Sequence, residues 1–279
     1  MPTDEIARRA SITTDMFNYS FKLSAERKLR LFADSGLRHI HWCDDWNDEV
    51  LYTNDEVRRR CQLVESHGMK CLDVHGADTE IVHIAAPDDS VLDRYVQLLE
   101  NRLEFCSAMG GDAVVIHPPS ERTGPGEISW KIDRSFRVLD RVRPLCEDLG
   151  VVLAVENCYP NDGEILREYF ERYPPEFIAF CLDSGHANLN KDMDALSEFA
   201  SRLRALHLHD NKGNEDDHQP PFWGTVDWKR VIQWIERSGY AKPLNFEITH
   251  HPELFEGSPD GFLELCVRSI RKVIALVGR

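Results

Sequence analysis

The sequence predicts a (β/α)8 barrel, and three observations lead to this fold class. Eight short apolar segments alternate with eight longer amphipathic segments along the chain. The length of 279 residues gives about 35 residues for each pair of segments, a size typical of such barrels. No Gly-x-Gly-x-x-Gly motif follows a predicted strand, which disfavours an open sheet that binds a dinucleotide. Because no linker or low-complexity segment interrupts the pattern, we predict a single barrel domain over residues 1–279.

The predicted strands are short runs of aliphatic or β-branched residues, each bounded by glycine, proline or charged residues. Such nearly continuous apolar strands are typical of a parallel sheet that helices cover on its outer face. The eight predicted strands are 11–18, 37–43, 70–75, 112–117, 151–156, 178–183, 204–209 and 244–248.

The segments between the strands repeat apolar residues at three- and four-residue steps, as amphipathic helices do. Segment 89–109 shows the repeat most clearly, and Gly110 marks the end of this predicted helix. The eight predicted helices are 23–34, 55–67, 89–109, 127–149, 164–172, 192–202, 226–238 and 260–277.

The composition bears on partners and compartment. Lys and Arg number 33 against 48 Asp and Glu, a net charge of −15 that disfavours binding to duplex DNA. No apolar run approaches the ~20 residues of a membrane helix, and the first residues lack the apolar core of a secretory signal. The 8 cysteines are irregularly spaced, which favours reduced, buried thiols. We therefore expect a cytoplasmic protein without nucleic-acid or membrane partners.

Polar residues that can carry chemistry stand at the ends of the predicted strands. They are His75, His117, Glu156, Asp183, His207, His209 and Glu247. Strand residues alternate between faces, so His207 and His209 share one face of their strand. In a barrel, the carboxyl ends of the strands meet at one rim and form the active site. A single histidine at a strand end is more often a structural residue, but recurrence on six strands favours a shared polar site.

Mixed imidazole and carboxylate donors predict a divalent metal ion at this rim, with Mn, Zn, Co, Mg or Fe suited better than Cu(I). Four neighbouring strands provide Glu156, Asp183, Glu247 and one of the two histidines of strand 7. Three carboxylates this close would repel one another without a cation. The sequence therefore predicts at least one ion, and additional metals remain open.

Six motifs together resemble a known superfamily. They are VHGAD (74–78), VVIHPPS (114–120), LAVENCY (153–159), CLDSGHAN (181–188), LHLHDNKGNEDDHQPP (206–221) and LNFEIT (244–249). On these motifs the chain resembles the xylose isomerase-like barrel superfamily, which includes sugar isomerases, ketose 3-epimerases and endonuclease IV. The pattern of Asp183-x-x-His186, then His-x-His-Asp, then a glutamate on the last strand is fairly specific for the superfamily. It is weakly specific for any one activity.

The resemblance implies that Glu156, Asp183, Glu247 and a histidine of strand 7 bind the metal. The order His-Leu-His-Asp favours His207, and a shift of one pleat would select His209 instead. In the similar ketose 3-epimerases, two glutamates exchange a proton next to a carbonyl through an enediolate, a role that would fall to Glu156 and Glu247. The resemblance therefore implies a metal-dependent isomerase or epimerase of a small keto sugar or polyol.

Other positions extend this expectation to the substrate. Five residues match additional metal ligands of endonuclease IV and would otherwise contact a sugar: His75, His117, His186, Asp216 and His218. His218 stands where some epimerases have an arginine, which weakens the specific 3-epimerase assignment. In the long loop 210–224, Trp223 could form an apolar wall against a sugar, with Trp46 facing it. No phosphate-binding turn follows the last strands, so we expect an unphosphorylated substrate.

Two other enzymes and one non-enzyme remain as alternatives. The first is a metal-dependent lyase or dehydratase that acts on a sugar or inositol derivative. The second is an endonuclease that cleaves at abasic sites, although the acidic segment 45–56 lies where a DNA-binding loop should be basic. The third is a barrel that binds a ligand without catalysis. Similar barrels form homodimers or homotetramers, and the sequence does not decide between these states.

Overall fold

Eight parallel strands form a barrel in the computed structural model, which describes residues 2–122, 124, 126–160, 163–253 and 255–278. The strands are β1 (Ala10–Thr13), β2 (His39–Trp42), β3 (Lys70–His75), β4 (Ala113–Ile116), β5 (Val152–Glu156), β6 (Ile178–Asp183), β7 (Leu203–His207) and β8 (Leu244–Phe246). Their order in the sheet is β7-β6-β5-β4-β3-β2-β1-β8. Helices alternate with these strands, which confirms the predicted fold class.

The barrel closes between β7 and β8, just beyond the end of β7. The backbone N–H of Leu208 donates to the carbonyl of Asn245 over 3.1 Å, and the N–H of Glu247 donates to the carbonyl of Leu208 over 3.1 Å. Leu208 lies between the two histidines of strand 7. The contact that closes the barrel therefore also fixes the spacing between these histidines and Glu247.

The described residues contain nine α-helices. They are α1 (Pro2–Arg9), α2 (Ala25–Asp34), α3 (Asn54–Ser66), α4 (Asp89–Ala108), α5 (Ile128–Leu149), α6 (Gly163–Arg172), α7 (Ser184–Asn190), α8 (Trp228–Ser238) and α9 (Pro259–Ile274). None of them combines the length and the apolar composition that crossing a bilayer requires. Many begin at side-chain caps, and α3 has a full capping box in which Thr53 and Glu56 satisfy each other's backbone N–H groups.

Several predicted boundaries differ from the structure. Two helices, α1 and α7, were not predicted; α7 has only seven residues, too few for a periodic pattern. The predicted helix 192–202 is a 3-10 helix over Ala195–Arg202, a form common in short connections. The predicted strand 11–18 is shorter in the structure, where β1 ends at Thr13. The hydrogen bonds between neighbouring strands stop before the rim of the barrel. For this reason the strands end just before His117, His209 and Glu247 rather than at them.

A separate cluster of mostly small apolar residues from β4 to β7 packs together in the barrel. Its members are Ala113, Val115, Val152, Ala154, Ala179, Cys181 and Ala205. A much larger apolar cluster fills the space between the strands and the surrounding helices. Among the described residues, the cysteines form no disulfide. The polar residues stand at the carboxyl ends of the strands, so they lie at the carboxyl-terminal mouth of the barrel, beyond this apolar packing.

Candidate active site

A cavity of about 290 Å³ opens at the carboxyl-terminal mouth of the barrel. It is lined by Asp15, Tyr19, Trp46, His75, His117, Glu156, His186, Asp216, His218, Glu247, Thr249 and His251. Carboxylates, imidazoles and aromatic rings predominate, and none of these lining residues is a lysine or arginine. The walls therefore offer donors for a cation and few groups that would attract an anion.

Glu156 and Glu247 approach the same imidazole nitrogen from two different strands. Nδ1 of His207 lies 2.8 Å from Oε2 of Glu156 and 3.1 Å from Oε2 of Glu247. All three side chains are buried. Within the described structure, neither Oε2 of Glu156 nor either nitrogen of His207 has a hydrogen-bond partner. Buried polar atoms normally find partners, so three such donors crowded together fit the ligands of a shared cation.

Asp183 enters the site at the point where β6 becomes α7. Its Oδ1 accepts a hydrogen bond of 2.6 Å from the backbone N–H of His186, which caps the helix. Asn157 holds the backbone of Asp183 in both directions, accepting from its N–H over 2.7 Å and donating to its carbonyl over 3.0 Å. The carboxylate is therefore fixed by the local backbone before any ligand binds.

The two histidines of strand 7 contact different carboxylates. His207 lies against Glu156 and Glu247, whereas Nε2 of His209 lies 3.0 Å from Oδ2 of Asp183 and 3.6 Å from Oδ1 of Asp216. Both histidines are buried below the cavity. The sequence left open which of them binds a metal, and the structure brings each of them to candidate ligands.

His209 is held between a glycine and a second histidine. Its ring stacks flat on that of His218, with centroids 3.9 Å apart and planes 4° apart. On its other side lies Gly185, where a Cβ atom would overlap the ring. The absence of a side chain at this position therefore makes room for the imidazole next to Asp183.

Two further clusters flank this centre. On one side, Oδ2 of Asp216 lies 3.2 Å from Nε2 of His186 and 3.1 Å from Nε2 of His218. On the other side, ligand atoms of His75, His117 and Glu156 lie within 4.8 Å of one another. Each cluster contains donors that could hold an ion, so the mouth of the barrel has room for more than one.

Burial and the neighbouring charges shift the pKa values of these groups in the protein alone. Burial would raise the pKa of Glu156, but His207 and the adjacent imidazoles lower it well below its usual range. Burial, together with the neighbouring His117 and His207, lowers the pKa of His75 to about 3. Burial also disfavours the charged form of His218, yet the Asp216 carboxylate outweighs this effect and raises the pKa to about 10.

The structure brings most of the predicted site residues together and adds others. Five of the six expected substrate contacts line the cavity, whereas Trp223 does not line it and is 37% exposed. Trp46 lies in the wall, as the sequence suggested. Asp15 was not predicted as a site residue, although it follows an apolar strand as the other site residues do. His41 was not predicted either, because its position inside β2 carried no strand-end signal.

The sequence matches a known family and a named relative. The family model for the xylose isomerase-like TIM barrel matches residues 29–266. A protein of Thermotoga maritima named probable endonuclease 4 is 31% identical over 236 residues, which cover 73% of this chain and 77% of the relative.

Solved structures share the fold at lower identity. A D-tagatose 3-epimerase-like protein has a TM-score of 0.72 and 18% identity, covering 94% of this chain and 99% of that one. The IOLI protein, with a bound zinc atom, has a TM-score of 0.75 and 16% identity, covering 96% and 98% of the two chains. At these identities the likeness concerns the fold.

Proposed function

The chain belongs to the xylose isomerase-like TIM barrel family, and from this premise we propose that it is a metal-dependent isomerase or epimerase. Its substrate is a small, unphosphorylated keto sugar or polyol, and the proton moves at a carbon next to the carbonyl. One observation carries the proposal: Glu156 and Glu247 reach Nδ1 of His207 from two strands at the floor of a polar cavity.

The donor set fits a divalent ion. Glu156, Asp183 and Glu247 would hold it together with His207, and the buried atoms without hydrogen-bond partners support this choice. When bound, such an ion acts as a Lewis acid that stabilises negative charge on a substrate oxygen. His209 orients Asp183 from below, since its Nε2 lies 3.0 Å from Oδ2 of that carboxylate.

The two glutamates are placed to exchange a proton with one substrate carbon. Both carboxylates are buried and face the cavity from different strands. One removes the proton from the carbon next to the carbonyl, and the other returns a proton to it. If the two act on opposite faces, the product is the epimer. Acid–base catalysis of this kind contributes about 10²–10⁴-fold to the rate.

The cavity indicates the chemical class of the substrate. Four carboxylates line it, from Asp15, Glu156, Asp216 and Glu247, and no lysine or arginine among the lining residues balances them. A phosphate group would therefore lack the charged partners that usually bind it. The aromatic rings of Tyr19 and Trp46 offer apolar surface to the carbon–hydrogen faces of a sugar. The volume of about 290 Å³ is at the small end for ligand pockets, which suits a monosaccharide.

Deuterium exchange tests the proposal. The purified chain is loaded with Mn²⁺, Co²⁺ or Zn²⁺ and incubated in deuterated water with a panel of keto sugars, and the products are followed by NMR. We expect solvent deuterium at the carbon next to the carbonyl, together with an isomer of the sugar. Loss of water from the substrate would indicate a lyase instead. If no sugar exchanged with any metal, the proposal would fail.

One observation favours a second candidate, an abasic-site endonuclease. The relative named probable endonuclease 4 is 31% identical, and five residues that the sequence matched to additional metal ligands line the cavity here. The acidic lining opposes this candidate, because nucleic-acid binding depends on contacts from lysine and arginine to phosphates. Incubation of the metal-loaded chain with a duplex oligonucleotide containing one abasic site tests it, since only the nuclease would cleave the strand.

A further inference from the structure

His41 is a buried histidine of β2 with one ring nitrogen unsatisfied. Its Nδ1 lies 2.6 Å from Oδ1 of Asp73, and the two side chains are 0% and 1% exposed. A carboxylate oxygen accepts, so Nδ1 carries the hydrogen, and in a neutral ring Nε2 then presents a lone pair. Within the described structure, Nε2 has no hydrogen-bond partner. Leaving such a group unsatisfied in the interior costs free energy, so an occupant for this position is expected.

The lone pair lies next to residues already assigned to the candidate metal site. The ring centroids of His41 and His207 are 4.7 Å apart, with planes at 63°. A ring nitrogen of His41, a ring nitrogen of His207 and a carboxylate oxygen of Glu247 lie within 4.8 Å of one another. A shared cation would draw these atoms to ~2.0–2.2 Å from itself.

Asp73 holds the ring of His41 in one orientation. Nζ of Lys242 lies 4.0 Å from Oδ2 of Asp73, on the carboxylate oxygen that His41 does not contact. Lys242 itself donates to Oδ1 of Asp112 over 2.7 Å, so the nearest partner of the Asp73 carboxylate is His41 at 2.6 Å. Metal-binding histidines commonly donate their second nitrogen to a carboxylate in this way, which fixes the ring orientation.

We propose that His41 is an additional ligand of the ion bound at His207 and Glu247, and that Asp73 orients it. This inference rests on the metal site of the proposed function and adds a ligand from β2, whereas the other ligands come from β5 to β8. A second imidazole shifts the preference of the site toward Zn²⁺, Co²⁺ or Mn²⁺ and away from Mg²⁺, because nitrogen donors suit transition metals.

Metal titration of the full-length chain tests this inference without any substrate. Co²⁺ is titrated into the metal-free protein, and calorimetry and the visible absorption spectrum give its affinity and coordination. The first variant is the double variant H41L/D73N, which removes the imidazole without leaving a buried carboxylate unpaired. The second is D73N alone, whose side chain has nearly the same shape as that of aspartate. The matched control is H39L, since His39 lies on the same strand but lines a groove away from the site.

In H41L/D73N we expect the Co²⁺ affinity to fall at least as far as the ~10–100-fold seen when an outer partner of a metal ligand is removed. The visible spectrum should also change as one nitrogen donor is lost. D73N should reduce the affinity by a smaller factor, because its amide oxygen can still accept from Nδ1 but carries no negative charge to strengthen the imidazole as a donor. The control H39L should bind as the unmodified chain does.

The outcomes separate this inference from the proposed function. Unchanged affinity and spectrum in H41L/D73N would overturn the role of His41 while leaving the remaining ligands in place. If that variant did not fold, unchanged affinity and spectrum in H41F, which keeps a ring at this position without a nitrogen donor, would overturn it equally. No Co²⁺ binding by the unmodified chain would overturn both the inference and the metal site on which it rests.

Discussion

His209 lies so close to Gly185 that a Cβ atom at position 185 would fall 2.6 Å from both nitrogens of its ring. Gly185 belongs to the first turn of α7, and His209 follows β7, so the pair joins two consecutive units of the barrel. Because His209 also contacts Asp183, the small size of residue 185 bears directly on the geometry of the candidate metal site.

The variant G185A should displace His209 and, through it, the carboxylate of Asp183. We expect the Co²⁺ affinity to fall about 10-fold or more, as for other disturbed outer partners of metal ligands. The control is G261A, where a Cβ atom would meet its nearest neighbour at an ordinary 3.4 Å. Equal affinities for G185A and G261A would show that the packing of His209 has no effect on the metal site.

Replacing either glutamate of the proposed proton exchange should strongly reduce turnover without unfolding the chain. We expect E156Q and E247Q each to lower the rate of deuterium incorporation by about 10²–10⁴-fold, the usual contribution of acid–base catalysis. E253Q is a suitable control, since Glu253 is 73% exposed outside the cavity. Substantial activity in both E156Q and E247Q would contradict the two-glutamate mechanism.

Removal of the metal should destabilise the fold as well as stop the reaction. Without the ion, three buried carboxylates repel one another. An ion present at 100 times its dissociation constant adds about 2.7 kcal/mol to the free energy of unfolding, and chelation removes this contribution. For a chain of this size we therefore expect chelation to lower the Tm by several degrees, and Mn²⁺ or Zn²⁺ to restore it. Thermal unfolding with and without chelator measures the shift, and a constant Tm would argue against an ion at this site.

Trp46 should contribute to substrate binding more than to the chemical step. Its ring lies in the cavity wall, 5.1 Å from that of His75 and 5.9 Å from that of His117. We expect W46A to raise KM about 10-fold, equivalent to about 1.4 kcal/mol of binding, with a smaller change in kcat. W130A provides the matched control, because Trp130 is on α5, away from the cavity, and 37% exposed. A KM unaffected by W46A would remove this ring from the substrate contacts.

Asp192 should make the stability of the protein depend on pH. Burial raises the pKa of this carboxyl to about 6, and its Oδ1 has no hydrogen-bond partner among the described residues. The folded chain therefore holds the proton more tightly than the unfolded chain, whose aspartates have a pKa of about 3.9. The stabilising effect is complete below that value and is lost as pH rises through about 6.

The variant D192N removes this pH dependence, since an amide does not ionise. We expect its Tm to exceed that of the unmodified chain by about 1–2 °C at pH 7.5 and to equal it at pH 4. The exposed Asp148 offers a control, D148N, with no such difference. A Tm difference of the same size at both pH values would rule out ionisation of Asp192 as the cause.

The sequence predicted the barrel and the strand ends that carry its chemistry. Apolar runs, their spacing and the residue that follows each run are local features, so Glu156, Asp183 and Glu247 could be found without a structure. The polar loop after β7 was also visible, but its packing was not, and Trp223 therefore lies outside the cavity that it was expected to line.

The sequence by itself determined most of the residues that reach the mouth of the barrel, because these depend on where each strand ends. The tertiary structure alone decided which side chains meet: His207 with Glu156 and Glu247, His209 with Asp183, and His41 with Asp73. The physical reason is register. The ladder shifts between Ile40 and His41 and again between Phe180 and Cys181, and such irregularities set the height of each side chain within the barrel. Periodicity along one strand contains no information about this stagger.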